Sequence, residues 1–241
     1  MARHFRGADG LWAGDAGLDL AAPARNPARA GAQGVLDPRG ARCLPPNRDQ
    51  PADAGYALAA GGIQGTLFAF VFSAQQVFTG IYKLGHYFPL VFAGIAFGVA
   101  VAGFLNARLV GRLGMRVISH SALVGFIAVA ATLFAAAQAN AVPLPLFMAL
   151  SALMMFAFGL MIANFTALAM EPQGDIAGTA SSLYGSITTL LGIGIGTTIG
   201  QAYDGTLMPF ATGFLACTLA TLAVVAITEK GQLFKPHHQG M

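Results

Sequence analysis

From Tyr56 to Thr228 the chain carries only seven formal charges: Lys83, Arg108, Arg112, Arg116, Glu171, Asp175 and Asp204. Each stands between long apolar runs or at the edge of one. A charged side chain at the bilayer centre costs about 3 kcal/mol on insertion scales, so charges confined to such breaks mark where a chain leaves the hydrocarbon. The pattern dictates a polytopic helical membrane protein. It also directs the functional question to transport rather than catalysis.

Composition agrees. Of 241 residues, 56% are hydrophobic and 10% charged, which excludes an ordinary soluble domain. The net charge of +3 gives no reason to expect a nucleic-acid partner, because seven of the 13 Lys and Arg residues precede Asp49. Cys43 lies in a polar arm and Cys217 in an apolar run, so neither a disulfide framework nor a zinc site is expected. His237-His238 lacks further ligands, so no metal is expected. Ser181-Ser182 has no recognisable His and Asp partners, and no phosphate-binding loop is present. The expectation is a non-enzyme without a cofactor. Asp9, Asp15 and Asp19 interrupt the first 30 residues, which therefore do not read as a signal peptide.

A helical span needs roughly 20 apolar residues. Six are expected: Tyr56–Thr79, Tyr87–Val110, Val117–Gln138, Leu146–Met170, Ile176–Tyr203 and Leu207–Thr228. The breaks carry turn chemistry, among them Pro143 with Pro145, Glu171-Pro172, and Asp204-Gly205. If the spans alternate, Arg48, the Arg108/Arg112/Arg116 group, Lys230 and Lys235 share one side, and Lys83 alone marks the other. The excess of positive charge places that first side, with both termini, in the cytoplasm.

Residues 1–55 are dominated by Ala, Gly, Arg and Pro without periodicity. Such a composition buries too little apolar area to offset the entropy of ordering, so a disordered cytoplasmic arm is expected. Two readings of its origin fit: a long linker, or an out-of-frame translation of GC-rich DNA. Residues 229–241 read as a cytoplasmic tail.

Two stretches resemble a known family. One runs from Asn164 through Ala167-Leu-Ala-Met-Glu-Pro to Ala177-Gly-Thr-Ala-Ser-Ser182. The other runs from Tyr87 to Gly98 and on from Phe104 to Arg116. Both are similar to the carboxyl-terminal half of Bcr/CflA-type multidrug exporters of the major facilitator superfamily, and Gln201–Thr206 fits the same subgroup. The resemblance covers about Tyr56 to Phe234. It implies an all-α membrane fold of six transmembrane helices, one half of a twelve-span transporter and itself a three-plus-three inverted repeat. Ser73-Ala74-Gln75 departs from the family's Ser-Pro-Phe, and the loop Arg108, Arg112, Gly114 and Arg116 lacks the family's Asp. The membrane-embedded acid tied to proton coupling is missing as well. That absence, beside the unusual arm, tips the origin of residues 1–55 slightly towards a frameshifted reading.

Small residues recur at four-residue spacing: Gly61 and Gly65, Gly94 and Gly98, and Gly192, Gly196 and Gly200. That spacing lets helix backbones approach closely, so these positions are expected to pack helices. Gln64, Phe68 and Phe72 form one stripe at i, i+4 and i+8. With Asn164 and Tyr184 they are the candidate substrate contacts, since amides and hydroxyls beside aromatic rings suit amphipathic drugs. Each has a competing reading as an interhelical hydrogen bond or plain packing. His120 is expected at the interface, and Asp175 as a helix cap.

Joined to the resemblance, these residues lead to one expectation. The chain is half of an inner-membrane exporter that expels small amphipathic toxic compounds by proton antiport. Its partners would be the lipid bilayer, a drug-like solute, and either an N-terminal half or a second copy. The rivals are a non-functional fragment and a half-size membrane partner that dimerises.

Overall fold

In the computed structural model, residues 50–171 and 177–231 are described. The arm as far as residue 49, Asp175 and the tail beyond Gly231 lie outside them, so the expectations placed there find no counterpart below. The described residues form six long helices and no strand. They are α1 (Gln50–Gln75), α2 (Phe88–Leu113), α3 (Met115–Gln138), α4 (Leu144–Met170), α5 (Ala177–Gln201) and α6 (Met208–Thr228). All six are long and apolar enough to cross a membrane, α1 counting from Ala54 to Ile81. The chain is a multi-pass helical membrane protein.

The helices begin and end where local chemistry requires. Pro89, Pro145 and Pro209 occupy the first turns of α2, α4 and α6, where a missing N–H costs nothing. Gly114, at φ +80°, separates α2 from α3 with a backbone angle that an L side chain resists. Before α6, Asp204 accepts hydrogen bonds from the Thr206 N–H at 2.9 Å and its hydroxyl at 2.7 Å. α1 starts at Gln50, six residues ahead of the expected span, and runs on as a π-helical turn over Gln76–Ile81.

The neighbour pattern shows the internal repeat. α1 packs against α5, α6 and α4, while α4 packs against α2, α3 and α1. α3 also meets α6. Exchanging α1, α2 and α3 for α4, α5 and α6 maps α1–α5 onto α4–α2 and α1–α6 onto α4–α3, and returns α1–α4 and α3–α6 to themselves. Three spans per repeat is an odd number, so the second repeat enters from the opposite side and the two are inverted. α1 and α4 form the centre, α3 and α6 close one flank, and α2 and α5 stand as outriggers.

The two ends of the bundle are held differently. At the end where α1 finishes and α4 begins, Phe147 meets Phe78 at 5.5 Å, Tyr82 at 5.3 Å and Phe210 at 5.7 Å between ring centroids. The Tyr82 hydroxyl donates to the Val142 carbonyl at 2.9 Å, and burial pushes that phenol up to about 12. The other end is held by charge.

Candidate functional site

The glycine stripe and the aromatic stripe meet each other. Phe68 packs directly onto Gly192 and Gly196, and Phe72 onto Gly200. Gln64 also lies against Gly192. In return, Gly61 receives Leu191 and Gly65 receives Ile195. Each helix sets its bulky residues over the bare backbone of the other, which is close packing by complementary shape. Phe68 and Phe72 stack at 5.6 Å, and Phe72 stays 41% exposed, so it alone of the pair offers substantial ring surface. The α1–α5 seam is therefore both a packing interface and the edge of an uncovered face.

The equivalent seam of the repeat, between α2 and α4, is built the same way. Gly98 lies under the α4 backbone, with Ala152 O 3.0 Å from where its Cβ would stand. Gly159, unremarked in the sequence, does the same beneath Ala102 and Val99. Gly94 takes no part, since it is exposed and nothing lies within 4 Å of its Cβ position. The expectation that it packs a helix is not met among the described residues.

Asn164 is buried, and its amide donates to Asn106 Oδ1 and to Leu160 O, both at 2.7 Å. The interhelical bond is the use the structure shows for it. Thr166 donates to Ile162 O, which leaves its oxygen to accept from the Tyr184 hydroxyl at 2.7 Å. These two links tie α4 to α2 and to α5. On α5 itself, Ser182, Ser186 and Thr189 lie exposed on one face, with Ser182 and Ser186 donating to carbonyls four residues back. Between α5 and α6 runs an open apolar groove of about 470 Å³ bordered by Leu190, Ile195, Ile199, Gly213 and Cys217.

The loop arginines separate into two roles. Arg108 and Arg112 are exposed, and the Arg108 guanidinium sits 4.2 Å from the Phe104 ring centre. Arg116 instead donates from Nε to Glu229 Oε1 at 2.9 Å. The Tyr56 hydroxyl donates to the same oxygen. His120 Nε2 lies 3.4 Å from that hydroxyl, and with the phenolic proton committed to Glu229 the imidazole is the donor. His120 is 2% exposed, buried within the bundle near the ends of α1, α3 and α6. Burial alone would push the Glu229 carboxyl up, but the Tyr56 and Arg116 hydrogen bonds and the Arg116 charge outweigh it and hold the group below its ordinary value.

Glu229 was missed because it stands one residue past the last span, beyond the stretch whose charges define the topology. The readable signal was a carboxylate at a span end on the arginine-rich side.

A comparison with known proteins gives one informative likeness. Over 182 residues the chain is 30% identical to "Uncharacterized MFS-type transporter YdgK" of Bacillus subtilis (strain 168). The likeness supports membership of the major facilitator superfamily. The match takes in 73% of this chain and 44% of that protein, so the chain spans less than half the length of the curated relative. No family model and no solved structure matches the chain.

Proposed function

We propose that this six-helix bundle works as the carboxyl-terminal half of a Bcr/CflA-type exporter, expelling small amphipathic compounds by proton antiport across the inner membrane. Both described termini would face the cytoplasm, on the side of Arg116. The observation that carries this reading is the uneven cover of the helices. Only 11% of the apolar window of α2 and 22% of that of α5 is buried, against 56% for α1 and 50% for α4. The repeat exchanges α2 with α5, so a second six-helix bundle would find two equivalent helices left open to it. The exposed hydroxyls of α5 and the exposed edge of Phe72 favour a protein-lined cleft over lipid on that side. Substrate would then sit near the midplane between two bundles, against Gln64, Phe72 and Tyr184.

The test is uptake of a fluorescent amphipathic cation by everted membrane vesicles, with the chain alone and with it joined to a six-span N-terminal half. The reading expects uptake that collapses with the proton gradient in the joined form. Absence of uptake there sinks it. Uptake by the chain alone would favour the second reading, a dimer in which α2 of one copy meets α5 of the other. That pairing is supported by the same exchange symmetry.

A further inference from the structure

We propose that the groove between α5 and α6 binds one phospholipid of the leaflet opposite Arg116, with an acyl chain in the groove and a primary ammonium headgroup on Asp204. The inference goes beyond the transport reading and holds whichever solute is moved.

The groove follows from how the side chains around it are seated. Leu191 packs on Gly61 and Ile195 on Gly65, and Cys217 donates to Gly62 O at 3.0 Å. α1 thus draws all three inward, and they become a floor. The walls above that floor are low, with Gly194 and Thr198 on α5 and Gly213 and Ala216 on α6. Ile199 lies over the bare backbone of Gly213, 2.7 Å from where a Cβ would stand, and closes the helices at one end. Otherwise α5 and α6 touch lightly, and about 470 Å³ stays open between them. Apolar space of this kind does not hold water, so its occupant is apolar too.

Two observations select that occupant. The first is shape and polarity. The groove runs from Leu190 to Ile199, about 14 Å along the helix, which is about half the hydrocarbon thickness and so the depth of one leaflet. The polar side chains that line it are already satisfied, since Thr198 donates to Gly194 O at 2.8 Å and Cys217 to Gly62 O. Such a lining suits an alkyl chain better than the mixed side chains of another protein. By helical spacing, Leu191, Ile195 and Thr198 lie roughly opposite Ser182, Ser186 and Thr189 around α5. A second bundle that met those hydroxyls would leave the groove facing lipid.

The second observation is charge. The groove ends where residues 202–207 link α5 to α6, and Asp204 is the single formal charge of that link. Its side chain is exposed, and both hydrogen bonds from Thr206 fall on Oδ1. The Thr206 hydroxyl and N–H hold the carboxyl below its ordinary value, so it is ionised at neutral pH. A headgroup carrying only negative charge is repelled there. A primary ammonium brings both a positive charge and N–H donors to the carboxylate, whereas a trimethylated one brings the charge without a donor.

The experiment is native mass spectrometry of the full chain in detergent at neutral pH. The chain is titrated with phosphatidylethanolamine, phosphatidylcholine or phosphatidylglycerol bearing the same acyl chains. The first ethanolamine lipid is expected to bind roughly three-fold more tightly than the choline lipid, the effect of one exposed ion pair, with the glycerol lipid weakest. Asp204→Asn is expected to bring the ethanolamine and choline lipids level. Gly194→Leu is expected to abolish the first binding event for all three. A Cβ at Gly194 meets nothing within 4 Å, so the longer side chain enters the groove without a clash at its root. Should G194L fail to fold, Ala216→Leu fills the groove from the other wall. Equal affinities in the wild type, an ethanolamine preference that survives D204N, or tightest binding of the glycerol lipid would overturn the proposal. So would lipid binding that the filled groove leaves unchanged. A dimeric wild type that G194L makes monomeric would overturn it as well, because a second copy would then be the occupant.

Discussion

Gly196 lies against Phe68 so closely that a Cβ at Gly196 would stand 2.5 Å from the Phe68 Cβ and 2.8 Å from its carbonyl carbon. The Ala69 nitrogen would be 2.9 Å away. Backbone atoms cannot swing aside as a side-chain tip does, so Gly196→Ala must push α1 and α5 apart. Overpacking of this kind costs about 1–3 kcal/mol, against which alanine recovers up to about 1 kcal/mol of helix propensity. The expected outcome is a lower unfolding temperature in detergent for G196A. Gly94→Ala is the control, since nothing lies within 4 Å there, and it should match or slightly exceed the wild type.

The Asn164–Asn106 bond joins α2 to α4 at 2.7 Å from a buried amide. Interhelical polar bonds in membranes average about 0.6 kcal/mol, because the unpaired helices find other partners. Asn164→Ala, Asn106→Ala and the double variant should therefore show a coupling near 0.6 kcal/mol and below about 2 kcal/mol in a double-mutant cycle. A coupling of zero would mean the pair is not formed in the folded bundle.

All six spans were legible, five of them to within three residues at either described end, because apolar runs and prolines act locally. Pro89, Pro145 and Pro209 fix helix starts by a missing donor, and Gly114 fixes a break by its φ. The Gly192, Gly196 and Gly200 stripe was legible as a packing surface. Its partner was not, since every span carries small residues and only three-dimensional fit pairs Gly196 with Phe68. Gly94 shows the converse: the same spacing marks an exposed position when the helix is an outrigger. The Tyr56–Glu229–Arg116 joint was illegible for another reason. Its members are up to 173 residues apart, and nothing in a single sequence announces that α1, α3 and α6 end together.

Tyr184 donates to Thr166 across the α4–α5 contact at 2.7 Å and is only part-buried. Tyr184→Phe keeps the ring and removes the donor, and Thr166 keeps its bond to Ile162. A neutral hydrogen bond of this kind contributes about 1 kcal/mol. Unfolding should show a loss of that size in Y184F. In the vesicle assay, a change in uptake beyond the change in folded protein would mark the hydroxyl as a substrate contact, and a proportional change would mark it as packing alone.

Glu229 gives the bundle an acid limb to its stability. Its carboxyl is held below its ordinary value despite partial burial, because Tyr56 and Arg116 favour the ionised form. A depressed carboxylate contributes stability that is full above the unfolded value, about 4.3, and is lost as pH falls through the lower folded value. The difference in Tm between wild type and Glu229→Gln should therefore be constant from neutral pH to about pH 5 and shrink below about pH 4. At neutral pH it should correspond to about 1.5–3 kcal/mol, the range for hydrogen bonds to a charged group, since the side chain of Glu229 is 10% exposed and that of Arg116 22%. A difference that instead persists unchanged to about pH 3 would show that the neutral amide loses packing rather than charge, and the ionic tie between α3 and α6 would have to be given up.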